Sequence, residues 1–400
     1  MPSYSSPPQN AAPRPGATAS PDGAGTRRDF GAKVERFWQR ITEGLALNQL
    51  WFQFRQDARS SFQLYRRDFP GGSVRDEWKQ RGTFDLLQEL AWAFLGKLSP
   101  ARRILLLLGI VLLIFPSGGF QFHKGRTDVQ VIWGDPHFWG GWCLFIVLML
   151  EVADRVVMKR DLEIARDIQS WLLPATPPVV PGITVAFATR PANTVAGDFY
   201  DIFLRPETTS HYLIAVADVA GKSIPAALLM ATFQASLKTL SSTSCSLLEL
   251  ISGMNRYACC NSQGGLRFTT AFLAEYDSAT RRFSYVNAGH NNPILRRSSG
   301  TIERLDTGGL PLGIQPDAHY DAGEVTLAPG DWLAIFTDGL VEAENQFAAE
   351  YGEDGLLAAI NVGAGSTPEI LLQQIIANVN KFVGTTPQHD DITCMLIRAI

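Results

Sequence analysis

The chain has 400 residues, of which 46% are hydrophobic and 18% are charged, and its formal net charge is −4. This length is enough for more than one domain and for at least one large core. The weakly acidic balance and the lack of a long basic run exclude a general affinity for nucleic acids. The five cysteines show neither CxxC nor Cys/His spacing, which excludes the usual zinc sites and a disulfide framework.

The N-terminal part of the chain contains two kinds of segment. Residues 1–29 are rich in Pro, Ser, Ala and Gly and have few large apolar residues, so we predict a disordered tail. Residues 30–100 place aromatic and aliphatic residues among charges at helical spacing. We therefore predict cytoplasmic amphipathic helices there, packed on each other or on a membrane surface.

Two apolar runs follow, at residues 104–122 and 138–150, and the first contains no charged residue. An apolar run of about 20 residues is long enough to cross a bilayer as a helix. Lys and Arg flank the pair on its outer sides, whereas the connecting loop holds few of them. This pattern predicts a transmembrane hairpin at 101–157 in a multi-pass protein of the inner (cytoplasmic) membrane, with both termini in the cytoplasm. The alternative is a pair of buried helices in a soluble core.

Residues 158–182 are predicted to form a linker. The second apolar helix has no helix breaker before Pro174, so it is expected to continue as a rod, and the Pro-rich stretch 174–182 then forms a stiff hinge. Apolar residues near one face of this rod favour either a homodimer through the linker helix or packing on the next domain. We expect the rod to transmit a signal to that domain by moving its first helix.

Residues 183–400 change to short β-rich runs with turn signals, such as "FTTAFLAEYD" and "RRFSYVNAGH", which together predict a hairpin. Two segments among them are predicted to be helices, at 223–240 and at 367–383, the second with Thr367 as its N-cap. Antiparallel strands with helices inserted among them indicate an α+β layered sandwich.

Carboxylates recur where these strands begin or end. Asp218 ends the apolar run "HYLIAVADV", Asp338 ends "DWLAIFTD", Asp390 and Asp391 open "ITCMLI", and Asp198 lies in "NTVAGDFYDIF". Three of the four segments are flanked by glycine, which lets a backbone approach a ligand closely. If these aspartates lie close together, their negative charges repel each other unless a bound cation compensates them.

The chemistry of these side chains selects the cation. Aspartate oxygens without Cys or His are hard ligands that suit Mg²⁺ or Mn²⁺ rather than Zn²⁺. Two such ions sharing a carboxylate would lower the pKa of a water molecule and direct it to a phosphoryl group. Phosphate-ester hydrolysis follows as a reaction class, and nucleotidyl transfer stays open because it also uses paired aspartates and two metals.

The sequence between about Asp161 and Ile400 resembles the PPM family of metal-dependent serine/threonine phosphatases, in particular its bacterial SpoIIE/RsbU branch. Several motifs in a shared order carry the resemblance. They are "ARDIQSWLLP", "VAGDFYD", "VADVAGKSIPAALLMA", "FTTAFLAEYD", "YVNAGHNNP", "LGI", "FTDGLVEAEN" and "DDIT". Each motif alone is weak, but their order together is specific.

The resemblance implies a four-layer α/β/β/α sandwich of two antiparallel sheets flanked by helices. It also implies two divalent cations, Mn²⁺ or Mg²⁺, and four catalytic aspartates, Asp198, Asp218, Asp338 and Asp390. In this scheme Asp218 and the carbonyl of Val219 bridge the metals, Asp338 and Asp390 complete one of them, and Asp198 reaches the other. Asp391 is the alternative to Asp390, because adjacent residues of a strand face opposite sides.

Other residues keep two interpretations each. Arg190 is a candidate for the phosphate-binding arginine of eukaryotic relatives, which has no counterpart at the matching position. His290 is either a proton donor to the leaving group or a turn histidine bonded to backbone. Lys222 and Ser223 resemble a phosphate-binding helix start, with helix capping by Ser223 as the alternative. Asp201 is expected on the face opposite Asp198, as a hydrogen-bonding or solvated residue.

The implied function is a membrane-tethered phosphatase that removes phosphate from Ser or Thr of a small regulatory protein. In this branch the substrate is typically a phosphorylated anti-sigma-factor antagonist, and the process is partner switching. The alternative is a catalytically silent membrane receptor whose phosphatase-like domain only binds a partner. A third hypothesis, a two-metal nucleotidyl cyclase, lacks a Gly-rich or basic triphosphate cradle in the sequence.

Overall fold

The structure, a computed structural model, describes only part of the chain. Its described residues are Trp92, 95–115, 120–124, 127–131, 135–206, 208–243, 245–261 and 267–400. The tail predicted at 1–29 and nearly all of the helices predicted at 30–100 lie outside these residues. The chain divides into two compact units, Met1–Val147 and Leu148–Ile400.

The described elements before the β-rich region are two helices and a small hairpin. They are α1 (Pro100–Ile114), β1 (Phe120–Lys124), β2 (Thr127–Val131) and α2 (Pro136–Leu172). Within the first unit, α1 and the start of α2 pack closely through two glycines. A Cβ added at Gly140 would lie 2.9 Å from the carbonyl oxygen of Gly109, so only glycine permits this approach.

The prediction of a transmembrane hairpin at 101–157 is wrong. Within the described residues, no helix combines the length and the apolar character that crossing a membrane requires. Helix α1 has 15 residues, and at 1.5 Å per residue it spans about 22 Å, against about 30 Å of hydrocarbon. The apolar part of α2 ends at Glu151, after which charged residues recur. The assignment to the inner membrane as a multi-pass protein falls with the hairpin.

The β-rich region contains eleven strands and five helices among the described residues. In chain order they are β3 (Ile183–Arg190), β4 (Phe199–Leu204), β5 (His211–Val219), α3 (Ile224–Ser241), α4 (Leu247–Asn261), β6 (Thr269–Asp277), β7 (Arg282–Ala288), β8 (Ile294–Arg296), β9 (Ile302–Arg304), β10 (Gly308–Gly309), β11 (Gly323–Thr326), β12 (Trp332–Phe336), α5 (Asp338–Val341), α6 (Gly352–Gly363), α7 (Pro368–Val383) and β13 (Ile392–Ala399).

These strands form two sheets. The six-stranded sheet has the order β10, β7, β6, β5, β4, and β11 also pairs with β7. The five-stranded sheet has the order β3, β13, β12, β8, β9. The pairs are antiparallel except for the short β10 beside β7.

Three apolar cores separate the layers. The core between the sheets includes Ile214 and Met395, whereas a second core packs α3 and α4 on the six-stranded sheet and includes Leu213 and Met230. A third core packs α6 and α7 on the five-stranded sheet, where Trp332 is fully buried. Leu213 and Ile214 enter different cores because neighbouring strand residues face opposite sides. The predicted α+β sandwich of two sheets flanked by helices is confirmed.

The strand register brings several strand ends to one edge of the sandwich. In the six-stranded sheet Phe199 pairs with Ala217, so Asp198 and Asp218 stand side by side on neighbouring strands. In the five-stranded sheet β12 ends where β13 begins. The Thr337 hydroxyl, just after β12, donates to Asp198 at 2.9 Å and so joins the two sheets at this edge.

The helices predicted at 223–240 and 367–383 correspond to α3 and α7, and the side chain of Thr367 caps α7 as expected. Sequence reasoning missed α4 and α6. Helix α4 begins with a capping box, in which the Ser246 amide donates to Glu249 at 2.7 Å and the Glu249 amide donates to the Ser246 hydroxyl at 3.3 Å. This S-x-x-E pattern before an apolar run was the available signal.

Candidate active site

Asp198 is buried at the edge where the two sheets meet. Its Oδ2 accepts the Thr337 hydroxyl, and the Thr337 oxygen in turn accepts the amide of Thr393 at 2.9 Å. Thr337 and Thr393 are fully buried, so this chain of hydrogen bonds fixes the carboxylate from the five-stranded sheet. Burial first, and the charge of Asp218 second, raise the pKa of Asp198 well above its usual range.

Asp218 faces Asp198 from the next strand. Burial first, and then the charges of Asp338, Asp390 and Asp391 in that order of size, together raise the pKa of Asp218 to about 7. Burial and neighbouring like charges both disfavour the ionised form of a carboxyl, and such shifts cluster at functional sites. The geometry thus brings together the acids that the sequence predicted from separate segments.

Asp338 follows β12 and opens the short helix α5. Burial and the nearby charge of Asp390 raise its pKa, while the Gly339 amide and the Lys222 ammonium act in the opposite direction. The next residue must be glycine, because a Cβ at Gly339 would lie 2.1 Å from the carbonyl oxygen of Asp391. Because of this close approach, the start of β13 lies next to the end of β12.

Asp390 and Asp391 have different partners, as adjacent residues of an extended chain should. Both oxygens of Asp391 accept backbone amides, from Ala192 at 2.7 Å and from Gly197 at 2.6 Å. Asp390 instead is half-exposed and forms an ion pair with Lys222 at 3.0 Å. Asp391 therefore holds the loop before Asp198, and Asp390 stays open toward the other acids.

The donor set suits hard divalent cations, since it consists of carboxylate and carbonyl oxygens. A Cβ at Gly197 would lie 3.0 Å from the Val219 carbonyl oxygen and 3.7 Å from Oδ1 of Asp218, so a side chain would fill the space beside these donors. Among the described residues, however, no three acidic, His or Cys side chains already stand as a ready-made metal cluster.

Known proteins share this domain. Residues 208–400 match the family model described as Stage II sporulation protein E (SpoIIE). This part of the chain is therefore similar to the SpoIIE family of PP2C-type phosphatase domains. The phosphoserine phosphatase RsbU of Bacillus subtilis (strain 168) is 29% identical over 244 residues, which cover 60% of this chain and 70% of RsbU.

A second relative and a solved structure are also similar to this chain. The phosphoserine phosphatase RsbP of Bacillus subtilis (strain 168) is 27% identical over 188 residues, or 46% of either chain. The solved SiaA PP2C domain of Pseudomonas aeruginosa has the same fold, with a TM-score of 0.54 and 22% identity over 62% of this chain and 99% of that one. The predicted enzyme class, a protein-serine/threonine phosphatase, is confirmed by these relatives.

Sequence reasoning missed one buried residue that contacts the site loop of the SpoIIE domain. The side-chain amide of Gln169, near the end of α2, donates to the carbonyl of Ala196 at 2.7 Å and accepts its amide at 3.0 Å. Ala196 lies two residues before Asp198, so α2 holds the loop that carries the metal candidate. The signal was present in the motif "ARDIQSWLLP", where Gln169 is a polar residue on a face that the domain buries.

A cleft of about 250 Å³ lies beside Asp390. Lys222, Glu342 and His389 are among its lining residues, and the Lys222 ammonium also donates to the His389 carbonyl. Arg190 lines the same cleft, but its guanidinium is held by the side chains of Gln388 and Asn380. Of the two cations considered from sequence, Lys222 is the one next to the carboxylates.

Three other sequence-based interpretations have clear outcomes. Ser223 stands at the N-cap of α3 with φ of 65° but makes no side-chain capping bond, so helix capping by its hydroxyl was wrong. Asp201 is buried rather than solvated, and it forms an ion pair with Lys238 of α3 at 2.6 Å. His290 is buried in its turn, where its Nδ1 contacts the Thr270 hydroxyl at 3.0 Å and the backbone of Phe336 also acts on the ring.

Proposed function

We propose that the SpoIIE domain is a two-metal phosphatase that hydrolyses phosphoserine or phosphothreonine of a small regulatory protein. The observation that supports this most directly is the meeting of Asp198, Asp218, Asp338 and Asp390 at one edge of the sandwich. Burial first, and the charges of the neighbouring acids second, raise the pKa of three of them, and such shifts cluster at functional sites. Two divalent cations, Mn²⁺ or Mg²⁺, would compensate these charges.

The proposed roles follow the position of each side chain. Asp218 and the carbonyl of Val219 would lie between the cations, Asp338 and Asp390 would bind one cation, and Asp198 would reach the other. When bound, the two cations would activate a water molecule and neutralise charge on the phosphate.

Lys222 is the proposed phosphate contact of the chain itself. Its ammonium lies 3.0 Å from Asp390 and lines the cleft, where a phosphate oxygen could share it. Asp391 is proposed to position the loop before Asp198 through its two backbone contacts, and not to bind metal.

The proposed substrate is a phosphorylated anti-sigma-factor antagonist or a similar small phosphoprotein. The relatives named phosphoserine phosphatase support this class, and partner switching is the process in which we place the enzyme. A homodimer through the linker helix is part of the same proposal, because Val157, Ile164, Ile168 and Trp171 are exposed apolar residues of α2.

The proposed function predicts that the full chain hydrolyses a phosphoserine peptide in Mn²⁺ and stops when a chelator is added. Activity should return when Mn²⁺ is restored in excess, because the carboxylates that bind it are part of the fold. Release of inorganic phosphate measures the reaction, and a nucleoside triphosphate assay in parallel tests the nucleotidyl-transfer alternative. Hydrolysis that continues unchanged in chelator would exclude the metal mechanism.

A domain that binds a partner without catalysis is the second candidate. One observation favours it, namely that the described carboxylates do not already form a closed three-ligand cluster. Titration calorimetry with Mn²⁺ separates the two candidates, because a catalytic site must close around the metal. Absence of Mn²⁺ binding together with tight binding of a phosphoprotein would support the second candidate.

Gln169 offers a test of regulation through α2. Gln169→Ala removes both hydrogen bonds to Ala196 and should weaken Mn²⁺ binding about tenfold, because outer contacts of metal ligands typically contribute 10-fold to 100-fold in affinity. Ser170→Ala is the matched control, since the exposed Ser170 hydroxyl donates to the Asp167 carbonyl of its own helix. Equal Mn²⁺ affinity of both variants and the unmodified chain would exclude this coupling.

A further inference from the structure

His290 is a buried imidazole that the proposed chemistry does not use. It follows β7 in the turn "NAGHNNP", and only 5% of its surface is exposed. Its Nδ1 lies 3.0 Å from the Thr270 hydroxyl, whereas its Nε2 has no hydrogen-bond partner within the described structure. Burial lowers the pKa of His290 to about 4, so the ring is neutral at physiological pH.

The first neighbour of His290 is Thr270, which also contacts the backbone of Asp218. Thr270 lies on β6 directly opposite Asp218 in the strand register. The Thr270 hydroxyl, which contacts the imidazole, is also 3.4 Å from the carbonyl oxygen of Asp218. The imidazole is therefore one side chain away from the backbone that carries the proposed bridging carboxylate.

The second neighbour of His290 belongs to the other sheet. The backbone carbonyl of Phe336 lies close enough to the ring to act against the effect of burial on its pKa. Phe336 is the last residue of β12, two positions before Asp338. The geometry supports this link, since His290 lies in the turn that joins β7 of the six-stranded sheet to β8 of the five-stranded sheet, and β8 pairs with β12.

The turn around His290 holds the ring in a defined position. The amide of His290 donates to Oδ1 of Asn287 at 2.7 Å, and the Asn287 side chain donates back to the His290 carbonyl at 3.0 Å. Gly289 has φ of 68°, and a Cβ there would lie 2.4 Å from Cγ of Pro311. The backbone therefore cannot shift the ring without breaking these contacts.

We propose that His290, acting through Thr270, is a positioning residue that sets the spacing between the strand ends carrying Asp218 and Asp338. It differs from a catalytic acid, since it is buried and contacts no group that would meet the substrate. The inference rests on the proposed metal centre, because the spacing of the two aspartates matters only if they share cations. Side chains behind metal ligands commonly tune metal affinity in this way.

The test measures Mn²⁺ binding by calorimetry in the full chain and its variants. Thr270→Val removes the hydroxyl while keeping the shape, and His290→Ala removes the ring. Each should weaken Mn²⁺ binding about tenfold or more, and the double variant should be no weaker than the poorer single variant. Thr270→Ser keeps the hydroxyl and should bind like the unmodified chain, as should the control His319→Ala, whose side chain is 87% exposed.

A purely structural role gives a different result. It would lower thermal stability in His290→Ala and Thr270→Val while the folded protein bound Mn²⁺ as before, and that result would overturn the proposal. Hydrolysis of p-nitrophenyl phosphate adds a second readout, in which the half-saturating Mn²⁺ concentration should rise more than the rate at saturating Mn²⁺ falls. If the unmodified chain binds no Mn²⁺, the metal centre itself is refuted and the inference falls with it.

Discussion

Asp338→Asn should lower the rate of phosphoserine hydrolysis by more than about 100-fold. Loss of a side chain that only contacts a metal ligand typically costs about 10-fold to 100-fold, and loss of a ligand itself should cost more. The substitution keeps the shape of the side chain but removes the charge that we place against a cation. It also removes one of the charges that raise the pKa of Asp218, so the metal-free fold should not be weakened. Loss of activity without loss of stability is the expected combination.

The measurement is phosphate release from a phosphoserine peptide in saturating Mn²⁺, with circular dichroism to verify folding. Asp321→Asn is the matched control, because Asp321 is an exposed aspartate whose only ion pair is with the equally exposed His319 within the described structure. Activity of Asp338→Asn within a few-fold of the control would remove Asp338 from the catalytic set and refute the proposed roles.

Asp218→Asn should have opposite effects on activity and on stability. It should abolish metal-dependent hydrolysis, because Asp218 is the proposed bridging ligand. It should also stabilise the metal-free protein at pH 8 by about 2 to 4 kcal/mol, since each pKa unit corresponds to about 1.4 kcal/mol. A catalytic substitution that raises stability is the expected consequence of removing a carboxylate held among other carboxylates.

The pH dependence of this stabilisation follows from the direction of the shift. The pKa of Asp218 is raised from 3.8 to about 7 in the folded protein, so the folded state binds the proton more tightly than the unfolded state. Raising the pH from about 4 to about 7 therefore favours unfolding, and the full penalty is present above pH 7. At pH 4 the group is protonated in the folded state and about half ionised in the unfolded state, so Asp218→Asn should have only a small effect there.

Thermal unfolding of the metal-free protein between pH 4 and pH 8 measures this difference. Asp201→Asn is the matched control on the neighbouring strand, because Asp201 is buried more deeply than Asp218 but is paired with Lys238 at 2.6 Å. Its replacement should not stabilise the protein at any pH. A destabilising effect of Asp218→Asn at pH 8 would show that the crowded carboxylates are already compensated within the fold.

Much of the fold could be predicted from periodicity and turn chemistry, because these signals are local. The alternation in "FTTAFLAEYD" and "RRFSYVNAGH" predicted the hairpin of β6 and β7, and the Thr367 side chain caps α7 as its position suggested. The transmembrane hairpin predicted at residues 101–157 was wrong because the length of a helix is not set by a local signal. The apolar character of a segment does not determine how many consecutive residues form one helix. In the structure α1 ends after 15 residues.

The sequence by itself determined which side chains are available for the chemistry. Aspartates at strand ends, flanked by glycines and without Cys or His, limited the site to hard cations before any coordinates were considered. It also marked Asp198 and Asp201 as unequal, since residues three positions apart in a strand face opposite sides. These conclusions depend only on residue type and spacing, which the chain carries in every conformation.

Only the tertiary structure decided which residues meet. The different partners of Asp390 and Asp391, the contact of Gln169 with Ala196, and the position of His290 between two sheets join segments far apart in sequence. Asp198 and Thr337 lie 139 positions apart and are within hydrogen-bond distance. Such contacts arise from how the two sheets pack and from the strand register, and neither is encoded in a local pattern of residues.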